Sequence, residues 1–155
     1  MQDLTPYLTP YSHVVAALGR VEFAREMVAA LNRTVPVDHV CLMRVADRAR
    51  PPVLESASWR GGKNVAAVQR AYLGGLYRFD PNLNLPARPG VTVAHLRREA
   101  IADGDYRNAC YARAGLIERL TVACGDGGPL VLLNLYRLEA SGPFTAEEIA
   151  AIEGL

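Results

Sequence analysis

Three cysteines and three histidines are the residues of this chain best suited to redox, nucleophilic or metal chemistry. Cys41, Cys110 and Cys124 are odd in number, and no two of them form a Cys-x-x-Cys pair. Such spacing predicts neither a disulfide framework nor a structural zinc site. The histidines fall in separate predicted elements without metal-ligand spacing. The sequence also lacks a Gly-x-Ser-x-Gly elbow, a P-loop and a dinucleotide-binding glycine pattern, so no metal and no cofactor is predicted.

Thiol chemistry remains an alternative, with Cys110 as the candidate reactive cysteine. Cys110 follows Arg107 by three residues, and a cationic neighbour lowers the pKa of a thiol. Cys124 would then be the resolving cysteine. Cys41 lies among apolar residues of a predicted strand and is most simply a buried apolar side chain.

Polar residues alternate with apolar ones near the C-terminus. The segments Ile117–Cys124 and Leu130–Leu138 flank a glycine-rich turn and predict an antiparallel hairpin at the centre of a sheet. One face of the last strand is apolar, and the other face is mixed. The polar groups that need partners within the sheet are Arg119, Thr121, Asn134 and Tyr136.

These polar groups admit two explanations. A buried polar group without a hydrogen bond costs roughly 1–3 kcal/mol, so each must find a partner. A ligand would supply partners in a pocket with apolar walls. The alternative is an internal pair, such as Arg119 with Asp80 or Glu118, that ties a long loop to the sheet.

A set of aromatic residues lies in loops and short helices that could roof such a pocket. They could line a site for a planar ligand, or they could be ordinary packing beneath a loop. The predicted ligand-binding residues are Tyr72, Tyr77, Phe79, Tyr106, Tyr111, Arg119, Asn134 and Tyr136. In this interpretation residues 77–81 and 106–111 roof the cavity.

The elements that must position these residues follow from periodicity. The predicted order is helix, two strands, helix, strand, short helix, two strands, helix. The last helix begins at a capping box formed by Thr145 and Glu148. Hairpins with helices at both ends predict an α/β (α+β) fold with a five- or six-stranded antiparallel sheet, covered by helices on both sides.

Length and composition limit the possible domain organisation, partners and location of the protein. A chain of 155 residues predicts one domain, 1–155, with residues 1–19 as an N-terminal helical extension. The net charge of +1 argues against a dedicated nucleic-acid surface. No apolar run is long enough to cross a bilayer, and the N-terminus does not resemble a signal peptide, so a cytoplasmic location without membrane contact is expected.

Two resemblances give this architecture a function. Gly128–Arg137 followed by Gly142–Ile149 resembles the ending of a GAF domain, a ligand-binding sensory fold related to PAS. Tyr77–Pro81, with Tyr106-Arg107, Cys110-Tyr111 and Gly115–Leu120, resembles the sensory regions of bacterial regulators that carry a LuxR-type helix-turn-helix at the C-terminus. The second resemblance covers roughly residues 10–155. The two resemblances imply a sensor of an unknown small molecule, with DNA contacted only through a helix-turn-helix domain absent from this chain.

Two further interpretations remain beside the sensor. Some GAF domains resemble free methionine sulfoxide reductases, which would make the chain a thiol enzyme or redox sensor. A purely structural dimerisation domain is the other. Sensor domains of two-fold DNA-binding proteins commonly pair, so a homodimer is expected. The apolar residues proposed for its interface are Val14, Val15, Leu18, Ile149, Ile152 and Leu155.

Overall fold

The computed structural model describes residues 12–87 and 89–154. Its centre is one antiparallel sheet with the spatial order β2-β1-β5-β4-β3. The strands are β1 His39–Val45, β2 Val53–Ser58, β3 Gly90–Arg97, β4 Leu116–Gly125 and β5 Leu130–Leu138. The predicted antiparallel sheet is confirmed, with five strands. Of the N-terminal extension, residues 12–16 are helical, and residues 1–11 lie outside the described range.

The predicted hairpin near the C-terminus is confirmed. Strands β4 and β5 pair with Thr121 opposite Asn134 and Arg119 opposite Tyr136, and β5 is the central strand. On β1, Cys41 lies opposite Asn134. Since side chains alternate across a strand, these residues share one face of the sheet.

Helices cover both faces. The helices are α1 Phe23–Leu31, α2 Val65–Leu73, α3 Gly104–Cys110 and α4 Ala146–Glu153. One face packs on α1 and α4 through a core that includes Val28, Leu120, Leu135 and Ile152. The opposite face packs on α2, α3 and the connecting turns. Within the described ranges, no helix is long and apolar enough to span a membrane.

The predicted capping box at the start of α4 is confirmed. The Thr145 hydroxyl accepts a hydrogen bond from the Glu148 amide at 3.2 Å, and the Glu148 carboxylate accepts one from the Thr145 amide at 2.8 Å. Glu148 also pairs with Arg137 of β5 at 3.1 Å. Arg137 in turn donates to the Pro36 carbonyl at 2.7 Å. These contacts fasten α4 to the strand that precedes it.

The connection between α2 and β3 begins near a glycine. Helix α2 ends at Leu73, and Gly75 adopts φ +145°, a value open to glycine but not to L side chains. Two 3₁₀ turns follow, Leu76–Phe79 and Pro81–Asn84. Asp80 caps the second turn by accepting a hydrogen bond from the Asn82 amide.

Candidate ligand-binding cavity

A cavity of about 440 Å³ lies between the sheet and the layer formed by α2 and α3. Its volume falls within the range of small-molecule sites, roughly 300–1,000 Å³. Helix α2 contributes Val65, Val68, Gln69 and Tyr72, which are spaced i, i+3, i+4, i+7 and so share one helix face. Apolar walls come from the sheet and from the segment before β4, namely Met43, Leu54, Ala114, Leu116 and Leu138.

Four buried tyrosines line the inner part of the cavity. Their rings form a continuous series: Tyr72 and Tyr106 have centroids 6.2 Å apart, Tyr106 and Tyr111 5.7 Å, and Tyr111 and Tyr136 6.2 Å. The ring planes are tilted or edge-to-face, which is a favourable arrangement for aromatic pairs. Helix α2, helix α3 and strand β5 thus meet through these rings.

The Tyr111 hydroxyl is buried and has no hydrogen-bond partner among the described residues. Burial raises the pKa of Tyr111 to about 12, so the phenol is neutral at physiological pH. The positive charge of Arg119 opposes part of that rise in the pKa of Tyr111. A buried hydroxyl without a hydrogen bond costs free energy.

Arg119 lies behind the tyrosines, paired with Asp80. Two hydrogen bonds of 2.6 and 3.0 Å join the guanidinium to the carboxylate, and the two side chains are only 1% and 0% exposed. Burial by itself would raise the pKa of Asp80, but the charge and hydrogen bonds of Arg119 outweigh it and hold that pKa below its usual value. Asp80 also accepts from the Tyr72 hydroxyl at 2.9 Å. Of the two explanations for Arg119, the structure therefore favours the internal pair, with Asp80 as the partner.

Glu118, the other partner considered for Arg119, belongs to a different contact. It accepts hydrogen bonds from the Phe144 amide and, at 2.7 Å, pairs with His95. Alternation along β4 directs adjacent side chains to opposite faces, which separates Glu118 from Arg119.

Asn134 and Thr121 also have internal partners. Asn82 donates to Thr121 at 2.6 Å, Thr121 donates to the Asn134 side-chain oxygen at 2.7 Å, and Asn134 donates to the Cys41 carbonyl at 3.3 Å. This buried chain crosses from the second 3₁₀ turn to β1. It supplies partners for Thr121 and Asn134, two of the four polar groups that the sequence left in need of partners.

The structure brings together only part of the predicted ligand-binding set. Tyr72, Tyr106, Tyr111 and Tyr136 line the cavity. Three others are buried outside its lining: Tyr77, Arg119 and Asn134.

Phe79, the last of the predicted set, is 52% exposed and lies outside the lining. The 3₁₀ turn Leu76–Phe79 rotates successive side chains by about 120°, which places Tyr77 inward and Phe79 outward. The Tyr77 hydroxyl donates to the Ala49 carbonyl at 3.2 Å.

Residues at the cavity mouth were not predicted. The segment from Arg60 to Asn64 and the segment from Ala112 to Gly115 border the opening. His39 on β1 also lines the cavity and hydrogen-bonds through Nδ1 to the Ser58 hydroxyl at 2.8 Å. Burial lowers the pKa of His39 to about 4, so its imidazole is neutral.

The cysteines do not have the environment that the thiol interpretation requires. Cys110 is buried, and burial raises the pKa of its thiol to about 12, with the Asp80 charge acting in the same direction. The Arg107 guanidinium donates to the Ile101 carbonyl at 2.7 Å. Cys124 is exposed and lies near the C-terminal end of β4. At a rise of about 3.4 Å per residue, it lies about 27 Å from Leu116, where β4 begins. In the described part of the chain, no cluster of three potential metal ligands occurs.

Solved structures show where this fold occurs. The LBD domain of VqsR from Pseudomonas aeruginosa matches 97% of this chain and 89% of its own, with a TM-score of 0.70 and 22% identity. The N-acylhomoserine lactone dependent LuxR family transcription factor CepR2 from Burkholderia cenocepacia matches 95% of this chain and 86% of its own, with a TM-score of 0.62 and 20% identity. No family model and no curated protein matches the chain. The shared fold is thus that of regulator ligand-binding domains, while the GAF resemblance remains a prediction.

Proposed function

We propose that this chain is the ligand-sensing domain of a bacterial transcription regulator and that its ligand is a small molecule bound in the cavity. The observation that carries the proposal is the cavity itself: about 440 Å³, with apolar walls and four buried tyrosines in its lining. A well-formed apolar pocket with few polar groups is what a small-molecule site requires. The fold shared with VqsR and CepR2 supports the same conclusion.

Strand β5 provides a route from the cavity to the C-terminal helix. Tyr136 lines the cavity on one face of β5, and Leu135 packs in the core beneath α4 on the other. Arg137 links the same strand to Glu148 of α4. A ligand that favours one position of β5 therefore shifts the population of α4 positions. In this proposal the regulator works in the cytoplasm, and a helix-turn-helix domain outside this chain contacts DNA.

Binding of a neutral apolar fluorophore tests the cavity directly. N-phenyl-1-naphthylamine should bind saturably with one site per chain, with a rise in its emission. Val68→Phe should abolish this binding, because the larger side chain projects into the cavity from α2. Ala66→Phe is the matched control, since Ala66 lies on the same helix but is exposed and outside the lining. Equal binding by both variants, or no saturable binding by the parent chain, contradicts the proposal.

Dimerisation is the second part of the proposal, with another copy of this chain as the partner. Ile152 is buried in the chain's own core and Ile149 packs against it, so α4 offers less free apolar surface than the sequence suggested. Leu155 lies outside the described residues. Val15, Leu18 and Val21 are each more than half exposed, which favours the N-terminal segment as the interface.

Sedimentation velocity at micromolar concentration tests this interface. The parent chain should sediment as a dimer, and Leu18→Glu should convert it to a monomer. Val91→Glu is the control, because Val91 is similarly exposed but lies on the edge strand β3. A monomeric parent chain would refute the dimer while leaving the cavity proposal in place.

A further inference from the structure

We infer that the cavity takes a single-chain amphiphile with an anionic head group, its apolar chain inside and its head at the mouth beside Arg60, Lys63 and Arg113. This inference rests on the proposed function, since it specifies the class of molecule that occupies the same cavity. It follows from the distribution of charge around the lining.

The described residues of the lining include three permanent cations and no carboxylate. Arg60, Lys63 and Arg113 are exposed, and their side chains form no ion pair with any described residue. Unpaired charges of one sign at the entrance of a low-dielectric cleft concentrate ions of the opposite sign there. The mouth therefore favours an anion.

Backbone geometry holds these cations at the opening. Gly61 and Gly62 have φ +75° and +81°, and a Cβ at Gly61 would lie 2.8 Å from a methyl carbon of Leu138. This tight turn places Arg60 and Lys63 on either side of the glycine pair. The Asn64 side chain donates to the Arg113 carbonyl at 2.8 Å and so ties the two segments of the mouth together.

The interior offers no free positive charge to an anion. Arg119 lies outside the lining, behind the rings of Tyr111 and Tyr136 at 6.0 and 5.9 Å from their centroids. Its charge is balanced by Asp80 through two hydrogen bonds. An anionic head is consequently matched only at the mouth, and the chain must enter first.

The walls fit an aliphatic chain. Met43, Leu54, Val68, Leu116 and Leu138 line the space inside the mouth. Each methylene buried against such walls should strengthen binding about fourfold until the cavity is full.

Displacement of N-phenyl-1-naphthylamine from the full chain tests the head group. The competitors are octanoate, decanoate, decanol and decyltrimethylammonium, each below its critical micelle concentration. Decanoate should bind about tenfold more tightly than decanol at low salt, and added salt should reduce this preference. Decyltrimethylammonium should bind more weakly than decanol. Trp59, which adjoins Arg60 and is the single tryptophan, provides a second fluorescence signal.

The triple variant Arg60→Gln/Lys63→Gln/Arg113→Gln should lose the preference for decanoate and retain the affinity for decanol. Arg70→Gln is the matched control, since Arg70 is an exposed cation on α2 outside the lining. Single variants at the three positions should each lose part of the preference. If decanol binds as tightly as decanoate, or if the triple variant keeps the preference, the anionic-head inference is wrong and the cavity proposal stands. If neither fluorophore nor amphiphile binds, both are wrong.

Discussion

Replacing Arg119 with methionine tests the role of the buried ion pair. The substitution keeps a long apolar side chain but removes both hydrogen bonds to Asp80, leaving a carboxylate that is 0% exposed without its counter-charge. Removing one partner of a buried pair typically costs about 3–5 kcal/mol. We expect urea unfolding at pH 7 to show a loss of this size in the free energy of unfolding.

Two controls separate a stranded charge from general damage. Arg50→Met removes the exposed pair with Asp47, whose nearest charged atoms are 3.6 Å apart, and should cost less than about 1 kcal/mol. The double variant Arg119→Met/Asp80→Asn should be more stable than Arg119→Met. The carboxylate is then gone, and the oxygen of the amide that replaces it can still accept a hydrogen bond from Tyr72.

The pH dependence of Arg119→Met gives the sharper readout. In the parent chain the folded-state pKa of Asp80 is lowered, so its contribution to stability is present above the unfolded-state pKa and is lost as the pH falls through the folded-state value. Without Arg119, burial dominates and raises the pKa of Asp80. The difference in the free energy of unfolding between the parent chain and Arg119→Met is then largest at neutral pH. It shrinks as the pH falls toward the pKa of Asp80 in the unfolded chain.

As the pH falls over that interval, the folding equilibrium constant of Arg119→Met should rise by up to about tenfold per pH unit. Two results would refute the reasoning. One is a difference in the free energy of unfolding between the parent chain and Arg119→Met below about 1 kcal/mol at pH 7, and the other is a difference that does not change between pH 7 and pH 5.

Two other predictions concern the C-terminal helix and the thiols. Thr145→Ala should lower the free energy of unfolding by about 1 kcal/mol in urea titrations, because the capping box is lost, whereas Thr145→Ser should restore most of it. If Thr145→Ala leaves the free energy of unfolding unchanged, the packing of Ile152 and the Glu148–Arg137 pair hold α4 without the cap. In the native chain Cys124 should react rapidly with a disulfide reagent at neutral pH, while Cys41 and Cys110 react only on unfolding. Rapid modification of Cys110, measured by mass spectrometry, would reopen the thiol interpretation.

Local patterns in the sequence determined the sheet and its last two strands. Alternation around the turn at 125–128 predicted the pairing of β4 with β5, because both the pattern and the turn lie within one continuous segment. The capping box depends on residues three apart and was equally visible. Alternation also distinguished an apolar face of β5 from a mixed face.

Only the tertiary structure decided which of the predicted ligand-binding residues line the cavity. Asp80 and Arg119 are separated by 39 positions, and their pairing depends on how the 3₁₀ turns after α2 fold over β4. No local pattern encodes that approach, so the sequence left open whether a ligand or an internal carboxylate satisfies Arg119. The cations at the mouth could not be predicted for the same reason, since Lys63 and Arg113 line the same cavity only when α2 and the segment before β4 pack together. Periodicity assigns a residue to a face, and only the packing of distant segments assigns it a partner.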